Sequence, residues 1–582
     1  MKSERRWTVS PEDLVFAPVF LPLLGSALVF CAQAFFKKTP SLVLEYLGVG
    51  IGLALPWAVF IYTMPIVLSG HVIEGVIGGW HAQIGIAYRF DGLAWLVNVL
   101  SFSLCTAAWC YTLGAGPKEH AFSAVYLILT ASLAAVTMTA DLFNLFVCLE
   151  VMGIASYILV ASSSKPAAAL ASFSYLMISA ASMVFFLTGV YGLYRLTGSL
   201  SYAGIAAGLQ QLPDGGGTAA LVSLAMIVSA VAVRVAVMPV SGWLPDAHAM
   251  APHAVSAVLS GVLIKVPLFA LLRVMMIMPA GARAGLLIGY AGAVTAVIGV
   301  VMALSQADAK RLLAYHSISQ IGYVVSAWGA ALYVGVTTSS GIILMAASFI
   351  HAYYHALFKG LLFLSIGTTA DCTGSRNVYT LRNASRTLRI WGERIPVTTI
   401  CFFVGALAIS AVPPFNGFAS KAALSYALKG SPHYYLLALA GVGTTASFIK
   451  LSRIYWPHKG SSATPGTVRT HVRVHWAVHL SQIFLALLCI IGGIAAPYIF
   501  TRVSGLIAQS GESAGAAFSL YTPETIIKTV LITVSGIGLF LLSGTRSLSR
   551  VLTRFRERHQ TFQGLFVSFS LAAAVLAAWM IM

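Results

Sequence analysis

The sequence predicts an all-α polytopic membrane protein, and three observations carry that prediction. Hydrophobic residues make up 58% of the 582-residue chain and charged residues only 9%, whereas soluble domains carry about 25% charged residues. Mean hydropathy is +0.87. The apolar residues fall into runs near the roughly 20 residues that a spanning helix needs, separated by short polar or Gly/Pro turns. An ordinary soluble enzyme is excluded.

Taken in order, the runs predict about 16 spans. Their centres lie near Leu24, Leu55, Val99, Leu129, Met152, Met183, Ile227, Leu263, Val294, Val324, His355, Ala406, Gly443, Leu487, Thr533 and Ala572. The second run is interrupted by Pro56 and Pro65, and the stretch from Thr338 to Thr368 is long for a single span. The amino terminus MKSERRWTVSPED is polar and the first apolar run is long enough to span, so no cleaved leader is expected.

The net charge of +18 sits mostly in short loops, which is the pattern of membrane topology and not of a nucleic-acid groove. Loops after odd-numbered spans hold about 20 Lys and Arg, including Lys37, Lys38, Lys118, Lys165, Lys310, Arg311 and the groups 376–394, 453–473 and 546–558. The opposite side holds about nine, including Arg89 and Arg273. That bias places both termini outside. Asp214-Gly-Gly-Gly217 reads as an exterior connector, and Arg546 to Arg558 as a cytoplasmic loop. The cysteines (31, 105, 110, 148, 372, 401, 489) form no C-x-x-C pair and read as buried, inert thiols.

One internal repeat stands out. Pro239-Val-Ser-Gly242-Trp243 recurs as Pro414-Phe-Asn-Gly417-Phe418, each at the end of a mainly apolar stretch. Proline removes a helix hydrogen bond, so both stretches should be discontinuous helices. They are the seventh and twelfth spans, so they run in opposite directions, the pattern of an inverted-repeat ion transporter. Two unrelated proline kinks are the alternative.

A charge at the bilayer centre costs about 2.5–3.5 kcal/mol on insertion scales. Glu150 in LFNLFVCLEVMGIASYILV, Lys265 in HAVSAVLSGVLIKVPLFALLRV, Lys359 in HAYYHALFKGLLFLS and Lys421 after the second break all stand in such positions. Proton transfer suits them: burial disfavours a charged ammonium and a nearby carboxylate favours it, so moving either one loads or unloads a proton. Imidazoles extend a relay. His316 and Gln320 share one face of the tenth span, and His351, His355 and Lys359 follow at four-residue spacing on the eleventh. Lys429 and Lys450, near the ends of the thirteenth span, fit snorkelling at least as well. Two histidines four apart can also bind a metal, but no second carboxylate or cysteine accompanies them, so no metal site is expected. No nucleotide-binding glycine motif stands in a strand–helix context.

At GWLPDAHAMAPHAVSAVLSGVLIK (242–265) the match becomes specific. The chain resembles the antiporter-like subunits of complex I, membrane-bound hydrogenases and Mrp-type sodium/proton antiporters. HALFKGLLFLS (355–365) and VPPFNGFASK (412–421) belong to the same pattern, which covers roughly residues 85–460. The resemblance implies about 14 core helices and two inverted five-helix repeats, each with a proton half-channel. Residues 1–13 would be a polar tail, 14–119 amino-terminal helices, 120–280 the first half-channel repeat, 281–460 the second, and 461–582 carboxyl-terminal helices.

By the same resemblance, Glu150 would be the buried glutamate of the fifth helix, Lys265 the bridging lysine of the eighth and Lys421 the terminal lysine of the twelfth. His316, His355 and Lys359 would belong to a connecting polar axis; His351, Asp246, His248 and Lys450 are further candidates for the site. The chain departs from the family at Arg234, where lysine is usual. A guanidinium stays protonated, so Arg234 is expected to be a fixed counter-ion to Glu150.

The implied function is ion translocation, chiefly of protons, by one subunit of a multisubunit complex, with redox drive expected. An Mrp-type sodium/proton exchanger subunit and a non-conducting scaffold are the alternatives. No cofactor is expected on this chain; iron–sulfur clusters or other redox centres would sit on partner subunits. The expected partners are membrane subunits of the same family, small hydrophobic subunits, a peripheral redox arm and the lipid bilayer of a prokaryotic inner membrane. Only 543–562 is polar near the carboxyl end, so no extended lateral strut is expected.

Overall fold

Without water to satisfy peptide groups, an apolar run in a bilayer closes its hydrogen bonds within itself, and the long runs of this chain do so as helices. The computed structural model describes residues 11–35, 39–80, 85–117, 119–163, 165–278, 281–457, 473–508, 519–557 and 561–581. Most of the polar tail, Lys37, Lys38, Lys118, Lys459, Arg469 and Arg558 lie outside them.

After a single helical turn at Pro11–Leu14 come α1 (Ala17–Phe35) and α2 (Ser41–Leu68), followed by a hairpin of β1 (Ile73–Val76) and β2 (Ala87–Phe90), antiparallel with Ile73 opposite Phe90. Next come α3 (Gly92–Gly114), α4 (His120–Met138), α5 (Leu142–Ala161), α6 (Pro166–Thr197), α7 (Tyr202–Gln211), α8 (Gly217–Val235) and α9 (Trp243–Met250). The central group is α10 (His253–Met276), α11 (Gly281–Ser305), α12 (Ala309–Val334), α13 (Ser339–Thr373), α14 (Ala384–Ile390), α15 (Val397–Ile409), α16 (Asn416–Ala427) and α17 (Pro432–Ser452). The chain ends with α18 (Trp476–Ile494), α19 (Ala496–Ala508), α20 (Pro523–Ser543), α21 (Arg546–Glu557) and α22 (Phe562–Ile581).

Fourteen of these helices are long and apolar enough to cross a membrane. All 16 predicted centres fall inside helices. The two beyond the fourteen are α12, which is long but too polar, and α15, which a break cuts to 13 residues. The doubtful second run is one continuous helix containing a π turn at Gly50–Ala54, and the Thr338 region is a single 35-residue helix.

Polar side chains fix the helix starts by accepting first-turn N–H groups. Asp91 accepts from Ala94 (3.0 Å), Asp141 from Asn144 (2.7 Å), and Asp308 from both Lys310 and Arg311 (2.8 and 3.1 Å). Helices α11 and α12 meet at backbone contact: a Cβ on Gly329 would stand 2.2 Å from the nitrogen of Gly289. Small residues permit this close packing where no water drives association.

Two sequence expectations change. Cys31 is exposed, and Cys110 and Cys372 are only partly buried, because their helices turn those faces outward. Residues 546–557 are not a loop. They form α21, whose Leu548 and Leu552 pack against Leu304, Ala446, Leu539 and Phe540 while Arg546, Arg550 and Arg554 stay exposed. Residues 213–216 do connect, as a short 3-10 turn between α7 and α8 with no buried residue.

Candidate functional site

Two helix breaks organise the site, and they share one backbone solution. Helix α8 ends at Val235 with Ala236 left-handed (φ 59°), and α15 ends at Ile409 with left-handed Ala411 (φ 60°) close behind. In the first, Ala236 N–H donates to Val233 O and Val237 N–H to Ala232 O, both 3.1 Å; in the second, Ala411 donates to Ala408 O and Val412 to Leu407 O, both 3.0 Å. This paired closure satisfies the last carbonyls of a helix. Glycine is its usual occupant, and an alanine there costs about 1–2 kcal/mol. In each break a cis proline follows the alanine by three positions, at Met238–Pro239 and Pro413–Pro414. The discontinuities read from Pro239 and Pro414 are therefore present.

At the first break α8 carries Arg234, which is 1% exposed, and α5 carries Glu150, whose side chain is 30% exposed. Arg234 Nη2 pairs with Glu150 Oε1, and Nη1 donates to Leu149 O at 2.9 Å. Gly153 leaves room for the guanidinium: a Cβ there would lie 2.6 Å from Nη1 and 2.7 Å from the Tyr157 hydroxyl. An aromatic stack backs the pair, with Tyr157 edge-on to Tyr175 (4.5 Å) and Tyr175 flat on Trp243 (3.8 Å, 4°). Glu150 thus reaches the flank of the chain and is less buried than its sequence position implies.

Two further buried cations, Lys265 and Lys359, bond backbone carbonyls and no described carboxylate. Lys265 sits where the π turn Leu259–Leu263 gives way to regular helix, and its ammonium bonds Ser260 O. This third interruption was readable from Pro267, which cannot donate to the preceding turn. Lys265 also lines a recess with Trp328, Ser348 and Tyr353. Lys359, fully buried on α13, bonds Leu313 O and lies 5.3 Å from the Phe363 ring.

Around these lysines stand fully buried imidazoles. Among the described residues, neither ring nitrogen of His248, His316 or His355 has a hydrogen-bond partner, and neither polar atom of the Gln320 amide has one. His351 Nδ1 meets Ser420 Oγ at 3.0 Å, and its ring lies 6.3 Å from that of His355 and nearly parallel to it. At the second break Lys421, on α16, donates to Ile409 O at 2.8 Å and lies 5.1 Å from the Tyr323 ring.

Other residues stand apart from this axis. Asp246 lies near the surface and accepts from Arg311 at 2.7 Å. Lys450 does not snorkel. It is buried and donates to Leu304 O and Gln306 O (2.7 and 2.6 Å), closing the carboxyl end of α11 as a cation does at a helix's negative pole. Lys429 is exposed and pairs with Glu524 at 2.7 Å. Lys310, counted as a loop cation from sequence, is fully buried with its ammonium on Ala251 O at 2.7 Å. Glu393, which the sequence did not single out, is 1% exposed and meets His479 Nε2 at 2.9 Å. Among the described residues no group of three His, Cys, Asp or Glu side chains is placed to hold a metal ion.

A many-helix bundle with two matching interrupted helices and a buried lysine–histidine axis between them defines a membrane protein of the ion-transporter kind. Residues 139–449 match the family model described as NADH:quinone oxidoreductase/Mrp antiporter, transmembrane region, and the chain belongs to that family. It is 34% identical to NADH-quinone oxidoreductase subunit N of Desulforudis audaxviator, over 59% of this chain and 67% of the relative. It is 30% identical to a Na(+)/H(+) antiporter subunit of Alkalihalophilus pseudofirmus, over 76% of this chain and 86% of that one. Among solved structures, a chain of the membrane-bound sulfane sulfur reductase, an archaeal respiratory membrane complex, superimposes with a TM-score of 0.73 at 26% identity, covering 88% of this chain and all of the other. This is a multi-pass antiporter-like subunit.

Proposed function

We propose that this chain moves protons as one subunit of a multisubunit membrane complex in a prokaryotic inner membrane, with its termini outside. One observation carries the reading: Lys265, His316, Lys359, His355 and His351 are buried, His351 meets Ser420 next to the half-buried Lys421 at the second break, and none of these lysines forms an ion pair with a described carboxylate. Buried polar nitrogens of this kind are satisfied by water, and a hydrated row of imidazoles and amines passes protons. The two breaks, five spans apart, would head two inverted repeats. Arg234 holds its proton throughout, so Glu150–Arg234 is a fixed pair and Lys421 the switching base.

Two drives fit this chain. Likeness to an NADH-quinone oxidoreductase subunit favours a redox arm whose iron–sulfur clusters lie on partner chains, and likeness to a Na(+)/H(+) antiporter subunit favours exchange with sodium alongside small hydrophobic subunits. Purification in mild detergent with mass identification of attached chains decides between them. Proton uptake by vesicles holding the purified complex tests the role itself. Transport that survives replacement of both Lys265 and Lys421 by alanine would leave a scaffold with no conducting function.

A further inference from the structure

Helix α13 carries one residue type after another at four-residue spacing: His351, His355, Lys359, Phe363, Gly367 and Asp371. The proton path proposed above uses the first three. The next two are apolar, and at both of them a histidine from another element fills the gap. The His248 ring, from α9, lies flat on Phe363 at 4.9 Å and 14°. The His253 ring, from the start of α10, packs on Gly367 so closely that a Cβ there would stand 2.5 Å from its Cγ. His253 Nε2 then meets Asp371 Oδ1 at 3.1 Å.

Exposure grades along this line. The Asp371 side chain is 53% exposed and that of His253 is 13%, while His248 and Lys359 are fully buried. Among the described residues, His253 Nδ1 and both nitrogens of His248 have no hydrogen-bond partner. The surrounding charges are Lys310, Lys165, Arg376 and Asp308. Arg376 is tied to Asp308 (2.9 Å) and to Ala249 O (2.7 Å), and Lys310 to Ala251 O, so neither needs Asp371 as its partner. Asp371 is left as the exposed carboxylate of a His–Asp pair at the arginine-bearing end of the bundle.

We propose that Asp371 and His253 form the mouth through which protons reach Lys359, with His248 as the link. The assignment rests on the proton-moving role argued above. A carboxylate at the surface collects the proton, His253 takes it at Nε2 and releases it from Nδ1, and His248 relays it past Phe363 to the Lys359 ammonium. No bond other than N–H and O–H is made or broken.

The experiment uses the purified complex in vesicles, with wild type, Lys359→Ala, Asp371→Asn, His253→Ala and Glu393→Gln. Wild type should move protons and Lys359→Ala should not. Asp371→Asn and His253→Ala should each run at least about fivefold slower with the complex still assembled, and Glu393→Gln at the wild-type rate. Imidazole added on the arginine-bearing face should restore His253→Ala and leave Lys359→Ala inactive, because a mobile base replaces a missing one only where solvent reaches. Wild-type rates in Asp371→Asn and His253→Ala overturn the mouth. So does a His253→Ala defect that imidazole restores from neither face, which marks a packing role, or a block by Glu393→Gln alone, which moves the entrance to the Glu393–His479 pair. If wild type itself moves no protons, or Lys359→Ala is unaffected, the underlying role fails and the mouth with it.

Discussion

The two helix breaks use the same backbone closure and place their charges in opposite ways. Aligned on Pro239 and Pro414, Arg234 takes the register position of Ile409, and Asp246 that of Lys421. The first break puts its cation in the last turn before the interruption and pairs it with Glu150 from a neighbouring helix. The second puts its cation after the interruption and gives it the Ile409 carbonyl and the face of the Tyr323 ring. A guanidinium with a carboxylate is a permanent pair, whereas an ammonium held by a carbonyl loses little when it gives up its proton. Repeated architecture therefore does not imply repeated chemistry: on the role proposed above, the first break would anchor and the second would switch.

The largest effect should come from Lys421. Both Lys421→Ala and Lys421→Arg should cut the initial rate of vesicle acidification at least about tenfold, a barrier increase of about 1.4 kcal/mol. Full activity in Lys421→Arg breaks the contrast, since arginine does not release its proton. At the other break, Arg234→Ala leaves Glu150 unpaired. Fully buried pairs lose about 3–5 kcal/mol on such a cut, and the partial exposure of Glu150 reduces this to about 2 kcal/mol, read as a lower unfolding temperature. Arg234→Lys should keep most of that stability, and a large loss there would mean that guanidinium geometry matters more than charge.

Lys450 sharpens the comparison from outside both breaks. Its ammonium serves the end of α11, so Lys450→Met should lower thermal stability by about 1 kcal/mol. The smallest effect concerns Asp91, which joins Arg273 through two bonds of 2.5 and 2.6 Å at the start of α3. Burial opposes its ionisation, but Arg273 outweighs this and holds the carboxyl below its ordinary value. A carboxyl lowered in the folded state stabilises fully above the ordinary aspartate range and less as pH falls through the lowered value. Wild type and Asp91→Asn should therefore differ in stability by no more than about 1 kcal/mol near neutrality and converge in acid, measured by unfolding at a series of pH values.

Much of this was legible in the sequence, for local reasons. Runs of apolar residues marked the spans, and Pro239 and Pro414 marked the breaks because proline acts on its own helix turn. Glu150, Lys265, Lys359 and Lys421 were conspicuous because a charge inside an apolar run has no local excuse. What escaped depends on neighbours distant in sequence. Lys310 reads as a loop cation until α9 and α10 cover it, and Lys450 as a snorkelling side chain until the end of α11 meets it. Arg546–Glu557 is too short and too charged to be read as packed until the apolar patch around Leu304 is in place.

The spacing along α13 has an angular consequence. Each residue of an α-helix advances about 100°, so every step of four overshoots a full turn by about 40°. The five steps from His351 to Asp371 add about 200°, so the line winds to the far side of the helix over a rise of about 30 Å. His351 accordingly meets Ser420 beside the second break, while Asp371 meets His253 on α10. The helix thus carries a screw thread, and residues along the thread meet different neighbours without any helix having to move. Deleting a single residue between Lys359 and Gly367 would turn the lower half of that thread by about 100° and leave His253 facing a bare flank.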